Sequence, residues 1–193
     1  MVNIANMDLL SSIQLPALKT VWFAGEVFPT KQFNYWRKML PQTTFANLYG
    51  PIEITLDCTC FIVNREIKDE ESIPIGFPCR NTDILILDAD NKLVTEAGKE
   101  GELCVRGTSL AMGYYNNPEK TASAFVQNPL NHAYPETIYR TGDVVVINER
   151  GEIVFKGRKD TLIKHMGYRT ELGEIEHIII NKLKLVKNGC VVL

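Results

Sequence analysis

The stretch TVWFAGEVFPTKQFNYWRKMLPQTTFANLYG (20–50) decides the fold. Its first residues, TVWFA (20–24), form a short apolar run that ends at Gly25. Pro29 then opens a pattern that places Phe33, Trp36, Met39 and Leu40 on one helical face. TTFANLYG (43–50) reads as a second strand, and Thr55 to Val63, rich in Thr, Cys, Phe, Ile and Val, as a third. Strand, helix, strand, strand predicts an α/β arrangement, a mixed sheet covered by helices.

Outward from that core, NREIKDEES (64–72) is charged and aperiodic and reads as a solvated loop. From Asn81 the pattern changes to short strands, NTDILILD, GELCVRG, DVVVI and EIVFKG, the last two joined by a turn at Asn148 to Gly151. This predicts a small antiparallel or barrel-like β unit. NPEKTASAF (117–125) interrupts it as a helix, with Asn117 as N-cap and Pro118 at the first helical position. After GRKD (157–160) come a short strand, a turn at Gly167, and a helix from about Leu172 to Lys184 striped with Ile175, Ile178, Ile179 and Leu183. One strand, one helix and a last apolar strand are too little for a core of their own, so the chain is expected to be truncated within a second domain. The expected division is 1–159, comprising 1–75 and a β-rich 76–159, followed by 160–193.

Composition narrows the function. With 45% hydrophobic and 23% charged residues, the 193-residue chain has the make-up of an ordinary globular protein. Twenty-one Lys and Arg against 23 Asp and Glu leave a net charge of -2, no basis for nucleic-acid binding. No apolar run nears the roughly 18 residues of a membrane span, and MVNIANMDLLSS lacks the features of a signal peptide. The five cysteines, Cys58, Cys60, Cys79, Cys104 and Cys190, show no CxxC spacing, which fits a reducing, cytoplasmic setting. Cys58 and Cys60 read as core or half-buried, and Trp22 and Trp36 as core; His132 and His177 read as structural.

Three clusters can carry chemistry. AGE (24–26) and NLYGPIE (47–53) are strand ends passing into turns, where Gly25, Gly50 and Pro51 let backbone approach a ligand. Such a place suits phosphate. Glu53 would repel phosphate directly, but fits there if magnesium lies between them; equally, YGP is a tight turn and Glu53 a favourable helix-N-terminal charge. YRTGD (139–143) reads as a strand, a glycine turn and an acid able to accept from two adjacent hydroxyls, or as an ordinary turn acid. GRKDTLIKHMGYR (157–169) carries Arg158, Lys159, Lys164, Arg169 and His165, for phosphate or as a solvated connection.

In this order NLYGPIE, GELCVRGTSLAMGYYNNPEKT, YRTGD and GRKDTLIKHMGYRTELGEIE resemble successive motifs of the AMP-forming adenylating enzymes, the superfamily of acyl-CoA synthetases, luciferases and amino-acid adenylation domains. The resemblance runs from about Leu15 to the last residue. LPALKTVWFAGEVFP, NLYGPIE and ELGEIE look most like amino-acid adenylation domains, especially D-alanine–carrier protein ligases.

The resemblance implies the C-terminal part of a large adenylation domain followed by the start of a small α+β lid. It implies ATP and magnesium as cofactors, an amino-acid substrate, and a carrier-protein phosphopantetheine thiol as acceptor. Gly25 and Glu26 match the lining of the adenine pocket, Asn47 and Tyr49 the residues that bind and stack adenine, and Glu53 the magnesium ligand. Asp143 matches the ribose acceptor, Arg158 its basic partner, and Phe155 an apolar neighbour of the nucleotide. Asp160 matches the hinge; Lys164, Gly167 and Arg169 match the loop facing the pantetheine tunnel, with Lys164 serving the thioester step. Gly50 and Ile52 belong to the phosphate turn, where Ile52 replaces a hydrogen-bonding threonine. Ala24 stands where the D-alanine ligases carry a cysteine, so the amino acid stays open.

The family's glycine-rich phosphate loop, its substrate-amine aspartate and its C-terminal lysine do not occur in the 193 residues. The chain alone is therefore expected not to complete adenylation, and to self-associate through uncovered apolar faces. A non-catalytic nucleotide- or carrier-binding module and a fragment of an acyl-CoA synthetase are the alternatives.

Overall fold

β1 (Thr20–Phe23) and β2 (Thr44–Tyr49) pair in parallel, Thr20 opposite Thr44 and Phe23 opposite Asn47, with α2 (Thr30–Met39) as the crossover. A computed structural model of the chain describes residues 1–159, 162–165, 168–172, 175, 178–183 and 185–186. The chain divides into two units, Met1–Gly157 and Arg158–Leu193.

β3 (Thr59–Ile62) and β4 (Phe77–Pro78) extend the first sheet antiparallel to β2, giving the mixed order β1-β2-β3-β4. One face of α2 drives this layer. Phe33, Trp36 and Leu40 are buried with Phe28, Phe45 and Phe61, and Phe33 meets Phe45 edge-on with ring centroids 5.5 Å apart. A short N-terminal helix, α1 (Val2–Asn6), went unread in the sequence; Trp36 Nε1 donates to the Met1 carbonyl at 3.0 Å and holds it there.

Two expectations for this layer are corrected. Trp22 is 71% exposed rather than core, because the two-residue period of β1 turns Val21 and Phe23 toward the packed side. Segment 64–72 is more than a solvated loop: Ile67 is 1% exposed, and the Arg65 guanidinium donates to Glu152 at 3.1 and 2.8 Å and to Glu71 at 2.5 Å. A local charge run gave no sign of a partner 87 positions away.

The second sheet runs β5 (Thr82–Leu87), β6 (Glu100–Gly107), β8 (Thr137–Ile147) and β7 (Phe125–Gln127), with β9 (Ile153–Arg158) also paired to β8. α3 (Pro118–Ala124) runs straight into β7, and its cap is as read: Asn117 Oδ1 accepts from Lys120 N at 3.0 Å. The β8–β9 turn is also as read, with Asn148 Oδ1 accepting from the amides of Arg150 and Glu152, both at 2.9 Å. The buried residues Tyr49, Ile54, Ile75, Leu103, Val105, Tyr139, Val145 and Ile153 form one core spanning both sheets.

In the second unit, β10 (Leu162–His165) and β11 (Tyr168–Glu171) form an antiparallel hairpin. Within the range expected to be helical, Leu172 to Lys184, the described residues Ile178–Lys182 form a π-helical turn, and the expected stripe residues Ile178 and Leu183 are exposed.

Candidate functional site

Parallel pairing puts the carboxyl ends of β1 and β2 at the same end of the sheet, the end beyond which open α/β sheets take ligands. Gly25 and Glu26 follow β1 as an exposed turn, with Gly25 at φ 92°. Tyr49 ends β2, and Gly50 and Pro51 follow it. Gly50 is sterically required: a Cβ there would lie 2.1 Å from the Leu56 carbonyl oxygen. The chain turns back so tightly because Ile52–Ile54 forms one 3-10 turn and Thr55 and Leu56 both take positive φ.

That turn presents Glu53 and Ile52 oppositely. Glu53 is 5% exposed and Ile52 is 81% exposed. The Glu53 carboxylate accepts from the Tyr114 hydroxyl at 2.7 Å, and its carbonyl accepts from Ala111 N at 2.8 Å. Asn47 is buried, its amide donating to the Pro74 carbonyl at 2.8 Å.

YRTGD is not a strand followed by a turn; it lies within continuous β8. Opposite Glu102–Cys104, β8 runs from Arg140 to Val144, so extra residues bulge from the ladder, with Gly142 at φ 74°. The bulge is pinned from β6. Glu102 accepts from Arg140 at 2.9 and 2.6 Å and from Gly142 N at 3.1 Å, and Thr141 Oγ1 donates to the Leu103 carbonyl at 2.7 Å while accepting from Asp143 N at 3.0 Å. Asp143 thus projects into the core at 3% exposure, where the Tyr49 hydroxyl donates to its Oδ2. Burial, then the Asp143 charge, pushes the Tyr49 phenol well above its ordinary range, so it stays a donor.

The chain is similar to known proteins in sequence and in fold. A family model described as AMP-binding enzyme matches residues 2–115. The chain belongs to that family. Tyrocidine synthase 3 of Brevibacillus parabrevis is 42% identical over 163 residues, covering 84% of this chain and 2% of that protein. Zwittermicin A synthase ZmaJ of Bacillus cereus is 39% identical over 171 residues, covering 87% of this chain and 32% of that protein. Among solved structures, PA1221, an NRPS protein containing adenylation and PCP domains, superposes with TM-score 0.84 at 29% identity, over 93% of this chain and 36% of its own. The Vibrio cholerae adenylation domain AlmE, in complex with glycyl-adenosine-5'-phosphate, gives TM-score 0.83 at 28% identity, over 97% of this chain and 35% of its own. The chain therefore has the fold of the corresponding third of an NRPS adenylation domain.

Of the remaining residues that the family resemblance singles out, Phe155 on β9 is half-buried and packs against the two-sheet core. Arg158 ends β9. Lys164 and Arg169 occupy paired positions in the β10–β11 hairpin. Asp160 and Gly167 lie outside the described residues. Sequence reading gave no role to Glu102, Arg140, Thr141 and Tyr114, which fix the acids in place; a charge inside an otherwise apolar strand was a signal for Glu102 and Arg140, and Thr141 and Tyr114 had only their places in the quoted motifs.

Glu53 is a carboxylate donor of the kind magnesium takes. Among the described residues no three His, Cys, Asp or Glu side chains converge, but magnesium is commonly held by one or two carboxylates together with substrate phosphates. The Ser109 hydroxyl is buried without a hydrogen-bond partner, on a segment that Thr55 Oγ1 ties to the Glu53 turn through the Ser109 carbonyl at 2.8 Å.

Proposed function

We propose that this chain is part of an ATP-dependent ligase that activates an amino acid as its aminoacyl-AMP and passes it to a carrier-protein phosphopantetheine thiol. The observation that carries this reading is the pair of buried acids, Asp143 and Glu53, each held by a tyrosine hydroxyl beside the ligand end of a parallel strand pair. In this reading 1–159 is the C-terminal portion of the large domain, and 160–193 is the hinge at Asp160 and the beginning of the lid. The NRPS character of the relatives supports an amino acid and a carrier over an acyl-CoA. D-alanine is one candidate substrate, and Ala24 does not favour it. The thiols of Cys58, Cys60 and Cys79, which form no disulfide, suit a cytoplasmic setting.

The residues act by positioning and charge. Asp143, preset by Tyr49 and the bulge, accepts from the ribose hydroxyls and orients the α-phosphate. Gly25, Glu26 and Asn47 line the adenine side. Gly50 lets backbone close on the phosphates, where Ile52 offers no side-chain hydrogen bond. Glu53 would hold magnesium, which when bound would neutralise charge on the phosphate oxygens; the substrate carboxylate attacks the α-phosphorus and pyrophosphate leaves. Arg158 supplies further positive charge. Lys164, Gly167 and Arg169 serve the second step, in which the thiol attacks the activated carbonyl and AMP leaves.

The test is ligand-dependent stabilisation of the chain by a non-hydrolysable aminoacyl-adenylate analogue with magnesium. A rise in melting temperature that Asp143→Asn abolishes is expected. No rise in the parent chain would sink the reading.

A further inference from the structure

Resting on the reading of Glu53 as the magnesium ligand, we infer that Tyr114 is its positioning residue: the Tyr114 hydroxyl fixes the orientation in which the Glu53 carboxylate meets a cation bound to phosphate. Segment 111–114 grips the Glu53 turn twice. Ala111 N holds the main chain at 2.8 Å, and the Tyr114 hydroxyl holds Oε1 at 2.7 Å. A carboxylate this buried must be hydrogen-bonded, and the choice of donor sets its rotamer.

Tyr114 is itself fixed by α3. Its amide donates to Thr121 Oγ1 at 2.9 Å, and that hydroxyl donates to the Asn117 carbonyl at 2.8 Å. The Lys120 ammonium sits 5.2 Å from the ring centroid, and Phe125 meets the ring edge-on at 5.9 Å. The capped first turn of α3 therefore transmits its rigidity through one ring to one carboxylate. Partners of this kind, one step removed from the metal, alter metal affinity by roughly 10–100-fold.

The test compares affinity for ATP with excess magnesium and with EDTA, in the full chain and in Tyr114→Phe, which keeps the ring contacts. Magnesium should tighten binding to the parent chain; Tyr114→Phe should cut that gain about tenfold and leave the EDTA affinity unchanged. Thr121→Val, which loosens the anchor but keeps the phenol, should cut it less. Equal losses with and without magnesium would assign Tyr114 a packing role and overturn the inference. Glu53→Gln separates it from its premise. If Glu53→Gln removes the gain while Tyr114→Phe keeps it, the positioning role falls and the magnesium ligand stands. If Glu53→Gln keeps the gain, or the parent shows none, both fall.

Discussion

The Tyr49 hydroxyl, at the end of β2 in one sheet, donates to the carboxylate of Asp143, in the bulge of β8 in the other. Both groups are buried, so each satisfies the other where water cannot. Tyr49→Phe leaves the acid short of a donor and should destabilise the chain by about 1–3 kcal/mol. Urea unfolding with an unchanged m-value would measure it.

The bulge that aims Asp143 depends on Glu102 and Arg140. Arg140→Met should leave the buried Glu102 carboxylate without its charged partner, with the Gly142 amide still donating to it, and destabilise toward the low end of about 3–5 kcal/mol, because the guanidinium is partly solvated. Double substitution with Glu102→Gln should recover part of that loss. If the double variant is as unstable as the sum of the single ones, the pair is not coupled.

Acid sensitivity should trace to the Arg65 clamp. Its hydrogen bonds to Glu152 and Glu71 hold both carboxyls below the ordinary glutamate value. A depressed folded-state pKa stabilises fully above the unfolded value, about 4.3, and the stabilisation is lost as pH falls through the folded one. Stability should drop from about pH 5 downward, and Arg65→Met should flatten that slope. An unchanged slope in Arg65→Met would remove the clamp as its cause.

Burial pushes the Cys58 thiol up to about 12, and Cys104 is as fully enclosed. Neither should be alkylated by iodoacetamide in the native chain at pH 7.5, whereas half-buried Cys60 and Cys79 should label slowly. Peptide mass spectrometry of briefly treated protein reads this directly.

Gly50→Ala should be costly, because the new methyl meets the backbone of Leu56 and Asp57 rather than a movable side chain. An overpacking loss of about 1–3 kcal/mol is expected, with weaker binding of the adenylate analogue. Retention of both parent stability and affinity would show that the turn can relax.

The sequence by itself determined what local patterns encode. The order of strands around α2, the Asn117 cap, the Asn148–Gly151 turn and the ordered motifs from NLYGPIE to GRKD were legible because each depends on residues a few positions apart. Only the tertiary structure decided how the acids are held. Tyr49 and Asp143 are 94 positions apart, Glu53 and Tyr114 61, and Arg65 and Glu152 87. No periodicity reports such a pairing. Trp22 turned outward and YRTGD became a bulged strand for the same reason: which face is buried, and where a ladder slips, are set by the neighbouring strand rather than by the residues themselves.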